Sequence, residues 1–330
     1  MPDTRSFPSQ PPPRLDFIRS STKPSAQLCY TFVSGLRPSA SMPSRLIVFL
    51  NGLGLPQSSW FPVIGGLTES LPNQRPPLLT YDRFGQGTSP DPDPSDAAAV
   101  DPLHRHDCMS VVRDLRQLIT QIADEKLDII DVGRVELLFV CNSIGCVLAR
   151  LYAQEYPGTV ATMLLLDSNM ANSDFVSIWP DPDTTGFDKN DLPEGITPEI
   201  LSQTREKYRH MFHPDVGSRE GLSRRNLREL LPTCDSPVLQ GVRGQGPFIT
   251  VVGHDFLAFA RENEGMGVPQ ATALHYTNPY WHRYNEGLTR LTEKPRSKGP
   301  VQAPGSGHFV QRDNPAFVVA EIVELLDKLE

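Results

Sequence analysis

The chain has 330 residues, which is enough to bury one large core, alone or with an insertion. Its hydrophobic content of 38% and charged content of 21% are typical of a globular protein in water. The formal net charge of −8 at pH 7 argues against nucleic acid or an anionic membrane surface as the main partner. The longest apolar runs are only as long as a β-strand, so the sequence predicts no membrane span.

The N-terminal segment, residues 1–14, is polar and rich in proline and lacks the apolar stretch of a secretory signal. We predict that it is disordered and that the protein is cytoplasmic. The five cysteines are odd in number and widely spread, which indicates free thiols in a reducing compartment. None of their spacings is typical of a zinc site.

After residue 14, short apolar runs recur, and helical patterns lie between most of them. Eight runs are candidate strands: LDFI, QLCYTFV, RLIVFL, PLLTY, ELLFV, ATMLLL, PFITVV and GPVQAP. Three stretches have the three- and four-residue apolar spacing of amphipathic helices: SVVRDLRQLITQIADE, VLARLYAQEYP and AFVVAEIVELLDKL. Asn314 and Pro315 are suited to the start of the last helix.

Strands that alternate with helices favour an α/β fold with a mainly parallel sheet covered on both faces. The first two strands have no helix between them and should form an antiparallel hairpin. Residues 168–243 depart from this pattern, since they are rich in Asp, Pro and Arg and have a helical middle. We therefore expect a core made of residues 15–167 and 244–330, with residues 168–243 inserted as a cap.

The segment FVCNSIGCV, residues 139–147, is typical of a strand, a tight turn and a helix start. Such a turn would hold Ser143 above the sheet edge, at a helix N-terminus that can stabilise an oxyanion. Gly145 meets the need for a small residue where helix and strand crowd together. Cys141 stands where a glycine is usual. Cys141 or Cys146 could itself be a nucleophile, but a nucleophile at 141 would not fit the turn, so both are interpreted as packing residues.

Three other loops follow candidate strands. NGLG, residues 51–54, is flexible enough to direct a backbone N–H, and YDRFGQGTS, residues 81–89, contains a glycine-bearing turn. GSGHFVQRDNP places His308 in a glycine-rich loop after the last strand, from which it could reach Ser143.

These four motifs, in this order, resemble the α/β-hydrolase family from about residue 15 to residue 329. The resemblance implies a mostly parallel eight-stranded sheet flanked by helices, with a helical cap inserted after strand 6. It implies that Ser143 is the nucleophile, that His308 is the general base and acid, and that the amides of Leu53 and Ile144 form the oxyanion hole. No metal or organic cofactor is implied. Asn51 replaces the histidine more common in the family and is a candidate pocket residue.

Two aspartates are candidates for the triad acid. Asp167 ends ATMLLLD, and Asp255 follows PFITVVGH; both sites are used in the family, the second more often. However, Asp255 comes one residue earlier after its glycine than is usual. The chain also resembles a subgroup with a similar aspartate-ended strand and a later helix like WHRYNEGL, whose members lack the later acid. Asp167 is therefore preferred, and Asp255 is the alternative.

Substrate contacts are expected from Trp179, Met170 and Phe175, near the start of the insertion. The resemblance implies a carboxylesterase or lactonase acting on a small, largely apolar ester or lactone, as a monomer or homodimer; a fungal origin and a secondary-metabolite substrate are also expected. The alternatives are hydrolysis of a carbon–carbon bond in a β-diketone, or a hydrolase-fold binding protein without activity. Among the histidines, His210 and His213 lack a third metal ligand, and His104 and His106 are expected on a solvated loop.

Overall fold

The computed structural model describes residues 13–35 and 43–330 of the chain. An eight-stranded sheet lies at its centre, with a separate pair of two-residue strands. The strands, in chain order, are β1 (Asp16–Arg19), β2 (Gln27–Val33), β3 (Ser44–Leu50), β4 (Leu78–Tyr81), β5 (His106–Asp107), β6 (Val135–Asn142), β7 (Val160–Leu166), β8 (Leu222–Ser223), β9 (Phe248–Gly253) and β10 (Ser297–Gln302).

The main sheet has the spatial order β1-β2-β4-β3-β6-β7-β9-β10. β2 pairs antiparallel with β1 and with β4, and the other neighbouring strands of this sheet pair in parallel. The antiparallel hairpin and the mainly parallel sheet are thus confirmed. The carboxyl ends of β3, β4, β6, β7, β9 and β10 all lie along one edge, where ligands of such sheets usually bind.

Ten α-helical segments accompany the strands in residues 13–35 and 43–330. They are α1 (Phe61–Ser70), α2 (Cys108–Leu127), α3 (Ile144–Glu155), α4 (Pro198–Phe212), α5 (Leu227–Leu230), α6 (Phe256–Gly265), α7 (Gln270–Thr272), α8 (Asn278–Leu288), α9 (Val310–Asp313) and α10 (Pro315–Asp327). Asn314 caps α10 as predicted, since its side chain accepts a hydrogen bond from the Phe317 amide.

Helices cover both faces of the sheet, as β3 illustrates. Leu46, Val48 and Leu50 belong to the core that includes α2 and α3. Ile47 and Phe49 point to the opposite core, which includes α1 and α10. All five side chains are buried, and each large apolar side chain removed from water stabilises the fold by about 1.5–3 kcal/mol. This packing fixes the register of β3, because a slip of one residue would exchange its two faces.

The predicted insertion, residues 168–243, lies between β7 and β9 and contains α4, β8 and α5. β8 pairs in parallel with β5, which connects the insertion to the segment before α2. Residues 1–12 of the predicted disordered N-terminus lie outside the described residues. Within residues 13–35 and 43–330, no helix combines the length and apolar character needed to cross a bilayer.

Candidate active site

Ser143 occupies the turn between β6 and α3, in a backbone conformation that side chains rarely adopt (φ 56°, ψ −121°). Its amide donates a hydrogen bond to the Leu166 carbonyl at the end of β7 (3.1 Å), which holds the turn against the sheet. A Cβ added at Gly145 would lie 2.3 Å from the Leu50 carbonyl oxygen, so this position requires glycine. The small residue expected there is thus explained by the close approach of α3 to the end of β3.

His308 and Asp167 are brought together at the same edge. Nδ1 of His308 donates a hydrogen bond to Oδ2 of Asp167 at 2.6 Å. The Asp167 side chain is fully buried, whereas that of His308 keeps 20% of its surface exposed. A buried carboxylate thus orients an imidazole whose other nitrogen remains available for proton transfer.

Asn142 connects the His308 loop to the Ser143 turn. Its side-chain amide donates to the carbonyl of His308 at 2.9 Å, and its carbonyl oxygen accepts from Gln311 at 3.2 Å. Because Asn142 immediately precedes Ser143, these two bonds hold the turn that carries Ser143 beside the histidine loop. In the described part of the chain no hydrogen bond joins the side chains of Ser143 and His308, a contact that often tightens only when substrate is bound.

The side chain of Asp255 binds backbone amides. Its Oδ1 accepts hydrogen bonds from the amides of Leu257 and Ala258, at 3.0 and 2.9 Å, and so caps α6. Its Oδ2 accepts from the Gly305 amide at 3.3 Å. These contacts occupy Asp255 with backbone amides of a helix start and of the loop before His308.

A second histidine, His254, binds the other oxygen of Asp167. Nδ1 of His254 lies 2.9 Å from Oδ1 of Asp167, and the His254 amide donates to the same oxygen at 3.2 Å. On its far side, Nε2 of His254 lies 3.1 Å from the side-chain oxygen of Asn278. The ring also stacks on Phe259 with a centroid distance of 4.0 Å. His254 is therefore fixed in place, with Asp167 between two imidazoles.

These contacts shift the pKa values of Asp167 and His308. Burial alone would raise the pKa of Asp167, but His254 and the hydrogen bonds from both histidines lower it to about 2. Burial also acts to lower the pKa of His308, but the hydrogen bond and negative charge of Asp167 outweigh it and raise the pKa above its usual value. Asp167 is thus ionised at neutral pH and favours a protonated His308.

The loop predicted to supply an oxyanion donor lies beside the serine. A Cβ added at Gly52 would be 3.5 Å from the Ser143 Cβ. Within the described residues, the Leu53 amide has no hydrogen-bond acceptor. The Ile144 amide is the first of α3. The first amides of a helix have no acceptor within that helix. Both amides are therefore free to bind an oxyanion.

Asn51 does not line this site with its side chain. Its amide group donates to the Tyr81 carbonyl (2.8 Å) and to Gln86 (3.2 Å), and its oxygen accepts from the Trp60 indole (2.9 Å). The Asn51 side chain is buried, and its hydrogen bonds hold the start of the NGLG loop in place. Trp60 is fully buried, and the same bond satisfies its indole N–H.

The three residues expected to contact substrate are all buried: Met170, Phe175 and Trp179. Phe175 lies 6.3 Å from Trp281 between ring centroids, and Trp281 lies 5.5 Å from the His308 ring. Trp179 instead packs against Tyr208 of α4, at 4.3 Å. Phe175 is thus connected to the histidine through Trp281, whereas the contacts of Trp179 are within the insertion.

The cysteines beside the turn, Cys141 and Cys146, are both fully buried. Burial raises the pKa of each thiol well above its usual value, which keeps both neutral. The Cys146 thiol also donates to the Cys141 carbonyl at 3.4 Å. These contacts agree with packing and not with a reactive thiolate.

Among the described residues, one group of side chains has the spacing of a metal site: Asp93, Asp96 and His106. The Lys23 ammonium lies 2.6 Å from Asp93 and 2.7 Å from Asp114, and His106 pairs with Asp96 at 3.0 Å. The carboxylates therefore already have cationic or imidazole partners. The expectation that His106 lies on a solvated loop is wrong, since it is buried in this network; His104 is more open and bonds Ser223 and the Asp215 carbonyl.

Comparisons with known proteins show the family to which the chain belongs. A sequence model described as the alpha/beta hydrolase family matches residues 47–321, so this chain belongs to the α/β-hydrolase family. No curated protein matches its sequence.

Three solved structures share the fold. Alpha/beta hydrolase domain-containing protein 10 from mouse has 15% identity and a TM-score of 0.55, over 96% of this chain and 100% of that one. A putative lipase from Acinetobacter baumannii has 16% identity and a TM-score of 0.52, over 96% and 91%. An epoxide hydrolase mutant of Vigna radiata has 14% identity and a TM-score of 0.53, over 96% and 98%. These sources, a mammal, a bacterium and a plant, lend no support to the expected fungal origin.

Sequence reasoning missed several residues of the site, chiefly Asn142, His254, Trp281 and the ion pair of Arg83 with Glu220. Asn142 and His254 could have been found as polar residues at the carboxyl ends of strands. Trp281 is a core residue with 6% exposure, and it also contacts His308. Glu220 carries no local signal, because its contacts are all distant in sequence.

Proposed function

We propose that the protein is a serine hydrolase that cleaves an ester or lactone bond of a small, largely apolar substrate through an acyl-enzyme. The observation that carries this proposal is the 2.6 Å hydrogen bond between His308 and the buried Asp167 carboxylate. His308 lies on a loop that is hydrogen-bonded to Asn142, the residue before Ser143. A serine at this turn disfavours epoxide hydrolysis, which in this family uses an aspartate nucleophile.

In the proposed first step, Ser143 Oγ attacks the carbonyl carbon while its proton moves to Nε2 of His308. The carbonyl oxygen becomes an oxyanion, which the amides of Leu53 and Ile144 stabilise. His308 then gives the proton to the leaving alcohol oxygen, and the acyl-enzyme remains. Water repeats these transfers and releases the acid. Asp167 remains ionised throughout and stabilises the protonated imidazole.

Substrate selection is assigned to the insertion, residues 168–243, acting as a cap. Its support is the contact of Phe175 with Trp281, which joins an apolar part of the insertion to the His308 ring. An apolar acyl or alcohol group fits these surroundings better than a charged one, because a charge buried there would lose its hydration. The five free cysteines, four of them buried, support action in a reducing compartment such as the cytoplasm.

The test is reaction of the folded protein with a fluorophosphonate, followed by mass spectrometry of the labelled peptide. We expect a single adduct on Ser143, which is lost in Ser143→Ala. No adduct on the folded protein would contradict the proposal and favour a binding protein. A panel of p-nitrophenyl esters, lactones and β-diketones then separates ester, lactone and carbon–carbon bond cleavage.

A further inference from the structure

The loop that carries Leu53 is anchored through the backbone carbonyls of the two residues before it. Arg83 donates to the carbonyls of Asn51 and Gly52, both at 3.0 Å. Gln86 adds a third bond, from its side-chain amide to the Gly52 carbonyl at 3.1 Å. These donors come from the YDRFGQGTS loop after β4, so two motifs of the sequence are joined directly.

The anchoring determines where the Leu53 N–H points. In a trans peptide the carbonyl and the following N–H point in opposite directions. The Gly52 carbonyl points to Arg83 and Gln86, so the Leu53 N–H points away from them. Gly52 itself lies against Ser143, and among the described residues the Leu53 N–H is left without an acceptor on the side of the loop away from Arg83 and Gln86.

Glu220 completes the anchor from the insertion. Its carboxylate binds Arg83 at 2.7 and 3.0 Å, and Oε1 also accepts from the Gly54 amide at 3.2 Å. The side chains of Arg83 and Glu220 are only 4% and 2% exposed, so water does not weaken the pair. Gly85 faces this segment, since a Cβ added to it would lie 3.4 Å from the Glu220 backbone, an ordinary contact distance.

We propose that Glu220, together with Arg83, is a positioning residue for the oxyanion donor Leu53. The insertion would then contribute to catalysis by aligning the oxyanion hole as well as by covering the substrate. This inference rests on the proposed serine hydrolase function. It predicts that weakening the anchor slows attack by Ser143 and leaves ground-state binding of substrate almost unchanged, because the oxyanion exists only after attack.

The primary variant is Glu220→Gln, which removes the charge and keeps the size. We expect the second-order rate constant for fluorophosphonate labelling, and kcat on an accepted ester, to fall at least about tenfold, with KM within about threefold. Since this variant leaves Arg83 as an unpaired buried charge, it could unfold. The double variant R83M/E220L removes both charges, should fold, and should show the same loss of rate.

The matched control is Asn226→Ala. Asn226 also connects the insertion to the core, through a 2.9 Å bond to the Asp107 carboxylate, but at a place away from the oxyanion loop. We expect it to lower the melting temperature and keep the labelling rate within about twofold, since a purely structural tie does not affect the oxyanion. Wild-type labelling rates in folded Glu220→Gln or in the double variant would overturn the inference, as would an equal loss in Asn226→Ala. If the wild-type protein does not label, the serine hydrolase proposal itself fails.

Discussion

Replacing Asp167 with asparagine tests the assignment of the acid. Asp167 uses both oxygens as acceptors, one for His308 and one for His254. Asparagine has nearly the same shape but only one accepting oxygen. Its NH₂ group must therefore face an N–H of one histidine, or force that histidine into the other tautomer. If His308 is the one affected, it can no longer take the serine proton in the correct geometry.

Asp167→Asn should lower both kcat and the stability of the folded protein. By analogy with other triads, loss of a correctly placed acid lowers kcat by about 10³–10⁴, or about 4–5.5 kcal/mol of transition-state stabilisation. Lowering the pKa of the buried Asp167 carboxyl from 3.8 to about 2 stabilises the folded protein by ~2 kcal/mol at neutral pH. This stabilisation is present above the unfolded pKa and is lost as the pH falls through about 2. The asparagine variant lacks it at neutral pH.

The assay compares Asp167→Asn with Asp255→Asn by the rate of fluorophosphonate labelling and by urea unfolding at pH 7. Asparagine caps helices as well as aspartate does, so Asp255→Asn should keep activity within about threefold. Loss of activity in Asp255→Asn with retention in Asp167→Asn would refute the assignment. Full activity in both variants would refute the triad altogether.

Three further outcomes are expected. In Gly145→Ala, the new methyl group meets the end of β3, so the free energy of unfolding should fall by about 1–3 kcal/mol. The control is Gly65→Ala, where no atom lies within 4 Å of the added methyl group and the change should be neutral or stabilising. Equal losses of stability in the two variants, measured by denaturant unfolding, would contradict this reasoning. As the pH rises, kcat/KM should increase when His308 loses its proton. Asp167→Asn should move this acidic limb of the pH profile to lower pH, because the variant removes the charge that raises the pKa of His308. An unmoved limb in the residual activity of the variant would contradict the pairing of Asp167 with His308. His254→Gln should raise the pKa of Asp167 toward its usual value, lower kcat by about tenfold and reduce stability at pH 7 by ~1 kcal/mol; unchanged kcat and unchanged urea midpoints would show that His254 only fills space.

Much of the fold could be predicted because its signals are local. Each of the eight main strands coincides with an apolar run, and the crowding at Gly145 leaves a recognisable small residue. Boundaries were less accurate: β10 was expected at residues 299–304 but spans Ser297–Gln302, since pairing with β9 begins at Ser297. The helical middle predicted for residues 168–243 contains the long helix α4, Pro198–Phe212, but only four residues of α5, Leu227–Leu230.

The site was less predictable where it depends on distant partners. Glu220 is 137 positions from Arg83, and His254 is 87 from Asp167, so no local pattern joins them. His106 was expected on a solvated loop before a helix, but it is buried and pairs with Asp96. Asn51 was considered a pocket residue, yet the indole of Trp60 and the carbonyl of Tyr81 hold its side chain in the interior.

The backbone at Ser143 has an evolutionary consequence. Both Ser143 and Asp167 have positive φ angles, 56° and 43°, which cost a side-chain-bearing residue about 1–3 kcal/mol each. Glycine at position 143 would relieve this cost and remove the proposed nucleophile, so a single substitution that abolishes the proposed activity should also make the protein more stable. Selection for stability alone would thus favour a catalytically silent descendant, and only a benefit from the chemistry would oppose it.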